Sequence, residues 1–131
     1  MKFVAQRVSR AALSVGSEPV SEIGYGLVVY FGVKVGDTEA QVEKCMKKLA
    51  NLRIFEDGAG KMNLSVTDVR GEVLLVSQFT LYGDAARGNR PSFTEAEVPE
   101  KASPLYDYAC DCLSALGVPV RRGVLDRKSV V

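Results

Sequence analysis

Two hydroxyls and an amide, Ser77, Gln78 and Thr80, follow directly on the apolar run Val73-Leu74-Leu75-Val76 in the stretch "SQFTLYGD" (residues 77–84). Polar groups gathered at the end of a buried strand are where a fold exposes side chains to a substrate. Ser77 and Thr80 are candidate nucleophiles, but a serine or threonine needs an adjacent base, usually histidine, to take its proton. The chain contains no histidine. A lysine or carboxylate could substitute, yet no fixed spacing advertises one. On residue types alone, these side chains either do chemistry without a protein base or satisfy nearby backbone groups.

Two other clusters carry candidate chemistry. In "RIFEDGAGKMN" (residues 53–63), Glu56 and Asp57 are paired carboxylates suited to acid/base work or to a metal. Asp-Gly is also a turn signal, and the turn is the stronger reading. No GK[ST] closes the glycines into a phosphate-binding loop. In "ARGNRPSF" (residues 86–93), Arg87 and Arg90 stand beside Phe93. Two guanidinium groups and an aromatic ring suit a phosphate and a stacked base at an RNA end, and suit a solvated loop equally.

Composition narrows the classes. Lys plus Arg number 17 against 16 Asp plus Glu, so no overall positive field marks a nucleic-acid binder. Contact with RNA must be local, at one end of the nucleic acid, and DNA is not an expected partner. The three cysteines, Cys45, Cys110 and Cys112, lack CxxC spacing and histidine companions, and read as reduced thiols in the core or on helix faces. We expect neither metal nor cofactor. The start, "MKFVAQRVSR", lacks a continuous apolar segment, and no run approaches membrane-spanning length, which predicts a cytoplasmic protein with no membrane partner.

The elements that must position these groups can be read from periodicity. Residues 2–8 alternate with Phe3, Ala5 and Arg7 on one mostly apolar face, a strand on which Arg7 is the exception. Residues 15–26 break into hairpin-like pieces, and residues 27–33 form a second apolar strand. Asp37 or Thr38 can cap a helix whose Val42, Cys45, Met46 and Leu49 recur at helical spacing. A second helix is expected to start with Ser103 as N-cap and Pro104 at its first position. Its inner face would carry Leu105, Ala109, Cys112 and Leu116, and Gly117 and Pro119 would stop it. The order strands, helix, strands, helix, strand predicts an α+β domain: a barrel-like, mostly antiparallel sheet covered by two amphipathic helices. So small a sheet leaves edges and patches that a homodimer would cover.

Five segments together, "QRVSRA" (6–11), "NLRIFED" (51–57), "GKMNLS" (60–65), "SQFTLYGD" (77–84) and "GNRPSF" (88–93), resemble the D-aminoacyl-tRNA deacylase family in order and spacing across residues 1–124. The resemblance implies that family's fold and a homodimeric cytoplasmic enzyme with its site at the subunit interface. The implied reaction is hydrolysis of the ester joining a D-amino acid, or misattached glycine, to the 3′-terminal adenosine of tRNA. It also implies that the RNA's terminal 2′-hydroxyl helps to activate the attacking water, so that no side-chain base is needed and the protein orients the ester. By the same resemblance, Ser77, Gln78, Phe79 and Thr80 line the pocket around the ester and terminal ribose. Thr80 stands where a nucleophile has been considered, a role for which a threonine without a base is poorly equipped. Arg7 matches an arginine that clamps a loop of the partner subunit, which suits a forked guanidinium.

That partner loop carries a Gly-cis-Pro motif in family members, which excludes L side chains by pointing carbonyls into their space. Here the chain runs "RRGVLDRKSVV" and contains no such motif. Its final "DRKSVV" looks like one reading frame of a short-read sequencing adapter followed by a stop codon. We therefore expect residues 1–124 to be a single deacylase domain lacking its last strand and the Gly-cis-Pro segment, and residues 125–131 to be a non-native tail. An open sheet edge and a tendency to aggregate would follow. The alternative is a catalytically impaired relative that binds a tRNA end or a nucleotide without turnover.

Overall fold

In the computed structural model, which describes residues 1–124 and 129–131, the chain folds as mixed α+β with two helices. Strands β1 (Lys2–Val8), β2 (Ala11–Val15), β3 (Glu18–Ile23) and β4 (Gly26–Gly32) precede helix α1 (Glu39–Asn51). Short strands β5 (Phe55–Glu56) and β6 (Met62–Leu64) lead to β7 (Glu72–Ser77), helix α2 (Pro99–Ala115), β8 (Val120–Arg122) and β9 (Ser129–Val130).

One sheet has the order β1-β4-β7-β8 and a second the order β3-β2-β9, with β5 and β6 paired separately. Most pairings are antiparallel, as expected, but β4–β7 and β7–β8 are parallel. That explains the unbroken apolar runs in β4 and β7, because a strand covered on both faces has no solvent side to make polar. Leu27, Val29, Phe31, Val73 and Leu75 face the helices, together with Val42, Met46, Leu49, Tyr106 and Leu113. The alternate residues Val28, Leu74 and Val76 meet Leu13 and Ile23 of the second sheet. Each such fully buried side chain contributes roughly 1.5–3 kcal/mol of hydrophobic burial.

Close approach at Gly26 sets the start of the central pairing. A Cβ there would lie 1.9 Å from the Glu72 carbonyl oxygen, so only glycine lets β4 meet β7 at this register. Glu72 reaches back, its carboxylate accepting the Gly24 N–H at 2.7 Å.

Thr38, one of the two expected caps, starts α1, and its N–H donates to Gln41 Oε1 at 2.7 Å in the manner of a capping box. Asp37 instead accepts the Lys34 N–H at 2.8 Å and meets the Met1 ammonium at 2.7 Å. Of the expected α1 stripe, Val42, Met46 and Leu49 are buried and Cys45 half-buried.

The expected start of α2 is corrected. The helix begins at Pro99, with Val98 as N-cap, and Pro104 lies inside it. Pro99 occupies the first-turn position where the missing N–H has no intrahelical partner to lose. The Ala102 N–H bonds to the Val98 carbonyl at 2.9 Å, so the helix is already formed when the chain reaches Pro104. The buried face is Tyr106, Ala109, Cys110 and Leu113. Of the expected inner face only Ala109 is fully buried; Leu105 and Cys112 are half-buried and Leu116 is exposed. Gly117 at φ +84° ends the helix as expected.

Of the tail at 125–131, residues 125–128 lie outside the described residues, and Ser129–Val130 pair with Val15 and Ser14 of β2.

Candidate active site at the end of β7

Strand β7 delivers the polar cluster. Ser77 is its last residue, opposite Phe31 of β4, and the Gln78 N–H continues the ladder to the Phe31 carbonyl at 2.8 Å. The chain then tightens into one 3-10 turn, Phe79–Tyr82, closed by the Gly83 N–H on the Thr80 carbonyl at 2.9 Å. Gly32 makes room for this turn: a Cβ there would meet the Gln78 carbonyl oxygen and the Leu81 Cβ at 3.2 Å each. Tyr82, 5% exposed, anchors the turn, and the Lys2 ammonium lies 4.5 Å from its ring centre.

Within the turn the Gln78 side-chain amide donates to the Thr80 hydroxyl oxygen. One lone pair of that oxygen is thus engaged, while its proton remains available to donate. The hydroxyl can therefore still donate one hydrogen bond to a bound group. Tyr82 offers no base either, because burial first, and then the Asp37 charge, push its phenol up to about 12. Ser77 and Gln78 are half-buried, and Phe79 and Thr80 are exposed. All four expected pocket residues therefore share one strand end.

Arg7 is not among them. It is exposed on β1, in register with Leu27, whereas Ser77 aligns through Phe31 with Phe3. Two strand spacings across and four residues along separate Arg7 from Ser77 by roughly 16 Å.

The basic loop lies next to the turn. Asp84 and Ser92 exchange backbone hydrogen bonds at 2.8 and 2.7 Å, and the Asp84 carboxylate accepts the Ala86 N–H at 2.9 Å. Arg87 and Arg90 are exposed between those paired residues. Phe93 emerges against Phe79, ring centres 5.5 Å apart and edge to face at 72°. Sequence reasoning had placed Phe93 beside the arginines but not against Phe79. It missed Gly32 altogether, since neither periodicity nor a turn signal marks that glycine.

The remaining candidates settle into structural roles. Asp57 caps its own loop, accepting the Ala59 and Lys61 N–H groups at 2.8 and 3.1 Å and the Asn63 amide at 3.2 Å; those backbone donors hold its carboxyl below the usual range. Burial raises the thiols of Cys45, Cys110 and Cys112, which makes them weak nucleophiles. Among the described residues, no cluster of three or more cysteine or acidic side chains could hold a metal ion, and no helix is long and apolar enough to cross a membrane. A cavity of about 640 Å³ between β1 and α1, lined by Met1, Phe3, Cys45 and three lysines, includes none of residues 77–80.

The family described as D-Tyr-tRNA(Tyr) deacylase matches residues 4–131. The chain belongs to this deacylase family. A D-aminoacyl-tRNA deacylase of Desulfitobacterium hafniense (strain Y51) is 50% identical over 131 residues, covering 100% of this chain and 88% of that protein. Another, of Chlorobium limicola, is 53% identical over 124 residues, 94% of this chain and 83% of the relative. Among solved structures, one titled c-Myc DNA Unwinding Element Binding Protein superposes with a TM-score of 0.93 at 38% identity, covering 99% of this chain and 89% of that one. A probable eukaryotic D-amino acid tRNA deacylase shares the fold, with a TM-score of 0.82 at 18% identity over 98% of this chain and 91% of that one. Deacylase family membership makes the chain a hydrolase of D-aminoacyl-tRNA, and aminoacylated tRNA its substrate.

Proposed function

We propose that the strand end formed by Ser77, Gln78, Phe79 and Thr80 holds the aminoacyl ester and terminal ribose of tRNA, and that the terminal 2′-hydroxyl of the RNA assists the attacking water. The observation that carries this reading is the Gln78 to Thr80 hydrogen bond, which turns Thr80 into an oriented donor beside an exposed turn. A donor fixed in place can stabilise charge developing on the ester oxygen without reorganising during the reaction. Ser77 and the Gln78 amide complete the polar lining. The same site, selecting by shape, would also release misattached glycine, which has no side chain to exclude. Where the family's Gly-cis-Pro segment completes the site, chiral proofreading during translation in the cytoplasm is the resulting role.

Arg7 fits a role across a homodimer rather than inside its own pocket, because it lies far from Ser77 on the same chain. The site would then be completed at the subunit interface, and Arg7→Ala should weaken dimerisation and activity together. The solved relative whose title names DNA gives a specific reason to include DNA as a competitor; we expect the terminal ribose contacts to favour tRNA. The direct test offers D-Tyr-tRNA and Gly-tRNA to the purified chain and follows amino-acid release. Turnover of both supports the proposal. Tight tRNA binding with no release would instead support the alternative of an impaired relative that only binds.

A further inference from the structure

Phe79 and Phe93 form an aromatic pair that the protomer leaves open, at 57% and 39% exposure. The pair is held in place from both sides. Phe79 lies in the 3-10 turn, and Phe93 follows directly on the Asp84–Ser92 pairing that closes the basic loop. Gly83 lies under the contact: a Cβ there would come within 3.0 Å of the Phe93 ring and 3.1 Å of the Thr80 carbonyl. An edge-to-face pair leaves one ring face free, and the two exposed guanidinium groups, Arg87 and Arg90, are carried by the same loop. A fixed aromatic face beside exposed cations is an arrangement by which proteins hold unpaired nucleotides, the ring taking the base and the cations the phosphates.

Resting on the proposal that residues 77–80 hold the terminal ribose, we propose that the Phe79–Phe93 pair with Arg87 and Arg90 is a stacking platform for the unpaired nucleotides that precede the terminal adenosine. Phe79 is the hinge of this assignment, since it follows Gln78 and precedes Thr80, so the platform begins where the ester pocket ends. Phe93 and the two arginines thereby become positioning residues for the RNA strand, with no part in the bond cleavage.

The test uses a single-stranded tetranucleotide ending in CCA, with 2-aminopurine in place of the base before the terminal adenosine. Stacking on a ring quenches its fluorescence whether or not any ester is cleaved. We expect quenching by the wild-type chain, its loss in Phe93→Leu and its return in Phe93→Tyr. In parallel, the KM for D-Tyr-tRNA should rise roughly 10-fold in Phe93→Leu and recover in Phe93→Tyr. Arg87→Gln with Arg90→Gln should flatten the salt dependence of binding. No quenching by the wild type, or equal quenching by Phe93→Leu, overturns the platform. So does dissociation of a wild-type dimer by Phe93→Leu in sedimentation, which would make the pair an interface. Failure of the deacylase reading shows separately, as absence of amino-acid release from D-Tyr-tRNA by a wild type that still quenches.

Discussion

The side-chain amide of Gln78 donates to the hydroxyl oxygen of Thr80, two residues further on, across the start of a 3-10 turn. That bond organises the site. It commits one lone pair of the only threonine in the cluster, and in the proposed mechanism the terminal 2′-hydroxyl of the RNA carries the chemistry. Thr80→Ala should therefore lower kcat about 10-fold, the scale of one lost positioning hydrogen bond. Replacing the terminal adenosine of the tRNA by its 2′-deoxy form should lower it by more than about 1000-fold. Single-turnover release assays check both, and the reverse ranking would restore Thr80 as nucleophile.

The turn depends on Gly32 as much as on its own residues. A Cβ at Gly32 would press on the Gln78 carbonyl and Leu81 Cβ at 3.2 Å each, so the turn must shift by a few tenths of an ångström. Gly32→Ala should cost about 1–3 kcal/mol as overpacking and lower kcat/KM by more than the stability loss explains. Urea denaturation alongside kinetics on the folded fraction separates the two effects.

Gly26 is a harsher constraint, because every atom opposing it is backbone and the approach is closer. The Cβ would fall 1.9 Å from the Glu72 carbonyl oxygen and 2.7 Å from its nitrogen. Gly26→Ala should destabilise by about 4 kcal/mol or more. Gly88→Ala in the basic loop, where a Cβ meets nothing within 4 Å, should melt like the wild type.

Tyr106 ties α2 to the central sheet, its hydroxyl donating to the Leu75 carbonyl at 2.6 Å and accepting the Gly123 N–H at 3.1 Å. Gly123 also bonds to the Leu75 carbonyl at 3.2 Å, so Tyr106→Phe leaves neither backbone group without a partner. The expected loss is about 1 kcal/mol, read as a lower urea midpoint with unchanged slope.

Acid should loosen the loop around Asp57 before the core. The Lys61 and Ala59 N–H groups depress its pKa in the folded chain below the ordinary 3.8. A depressed carboxylate binds fewer protons folded than unfolded, so its stabilisation is present above 3.8 and is lost as the pH falls through the folded value. Asp68, held low by the Ser65 N–H and hydroxyl, adds in the same direction. Asp57→Asn should flatten the acid limb of the stability curve, followed by denaturation between pH 5 and 2.

Much of the fold was legible because local pattern and packing agree. The alternation at Phe3 and Ala5, the stripe Val42, Met46, Leu49 and the Gly117 stop all describe faces that the structure buries or ends as expected. The start of α2 was not legible, since Ser103-Pro104 is as good a start signal as Val98-Pro99 and only the hydrogen bonds decide between them. The parallel pairing of β4 with β7 is a tertiary choice that no single strand records. The four candidate site residues could be grouped from sequence because they are contiguous. Gly32 and the Phe79–Phe93 contact could not be read there, because each joins the turn to a segment far from it in sequence.

The central claim is hydrolysis of the D-aminoacyl ester at the strand end of Ser77 to Thr80, assisted by an oriented donor. Its most direct measurement is the rate at which the purified chain releases tyrosine from D-Tyr-tRNA and from L-Tyr-tRNA under identical conditions. The account predicts release from the D-ester, and a preference over the L-ester of about 100-fold or more in a chain that carries the Gly-cis-Pro segment by which L side chains are excluded. No release from the D-ester, or equal rates on the two esters in a chain that carries that segment, would contradict it.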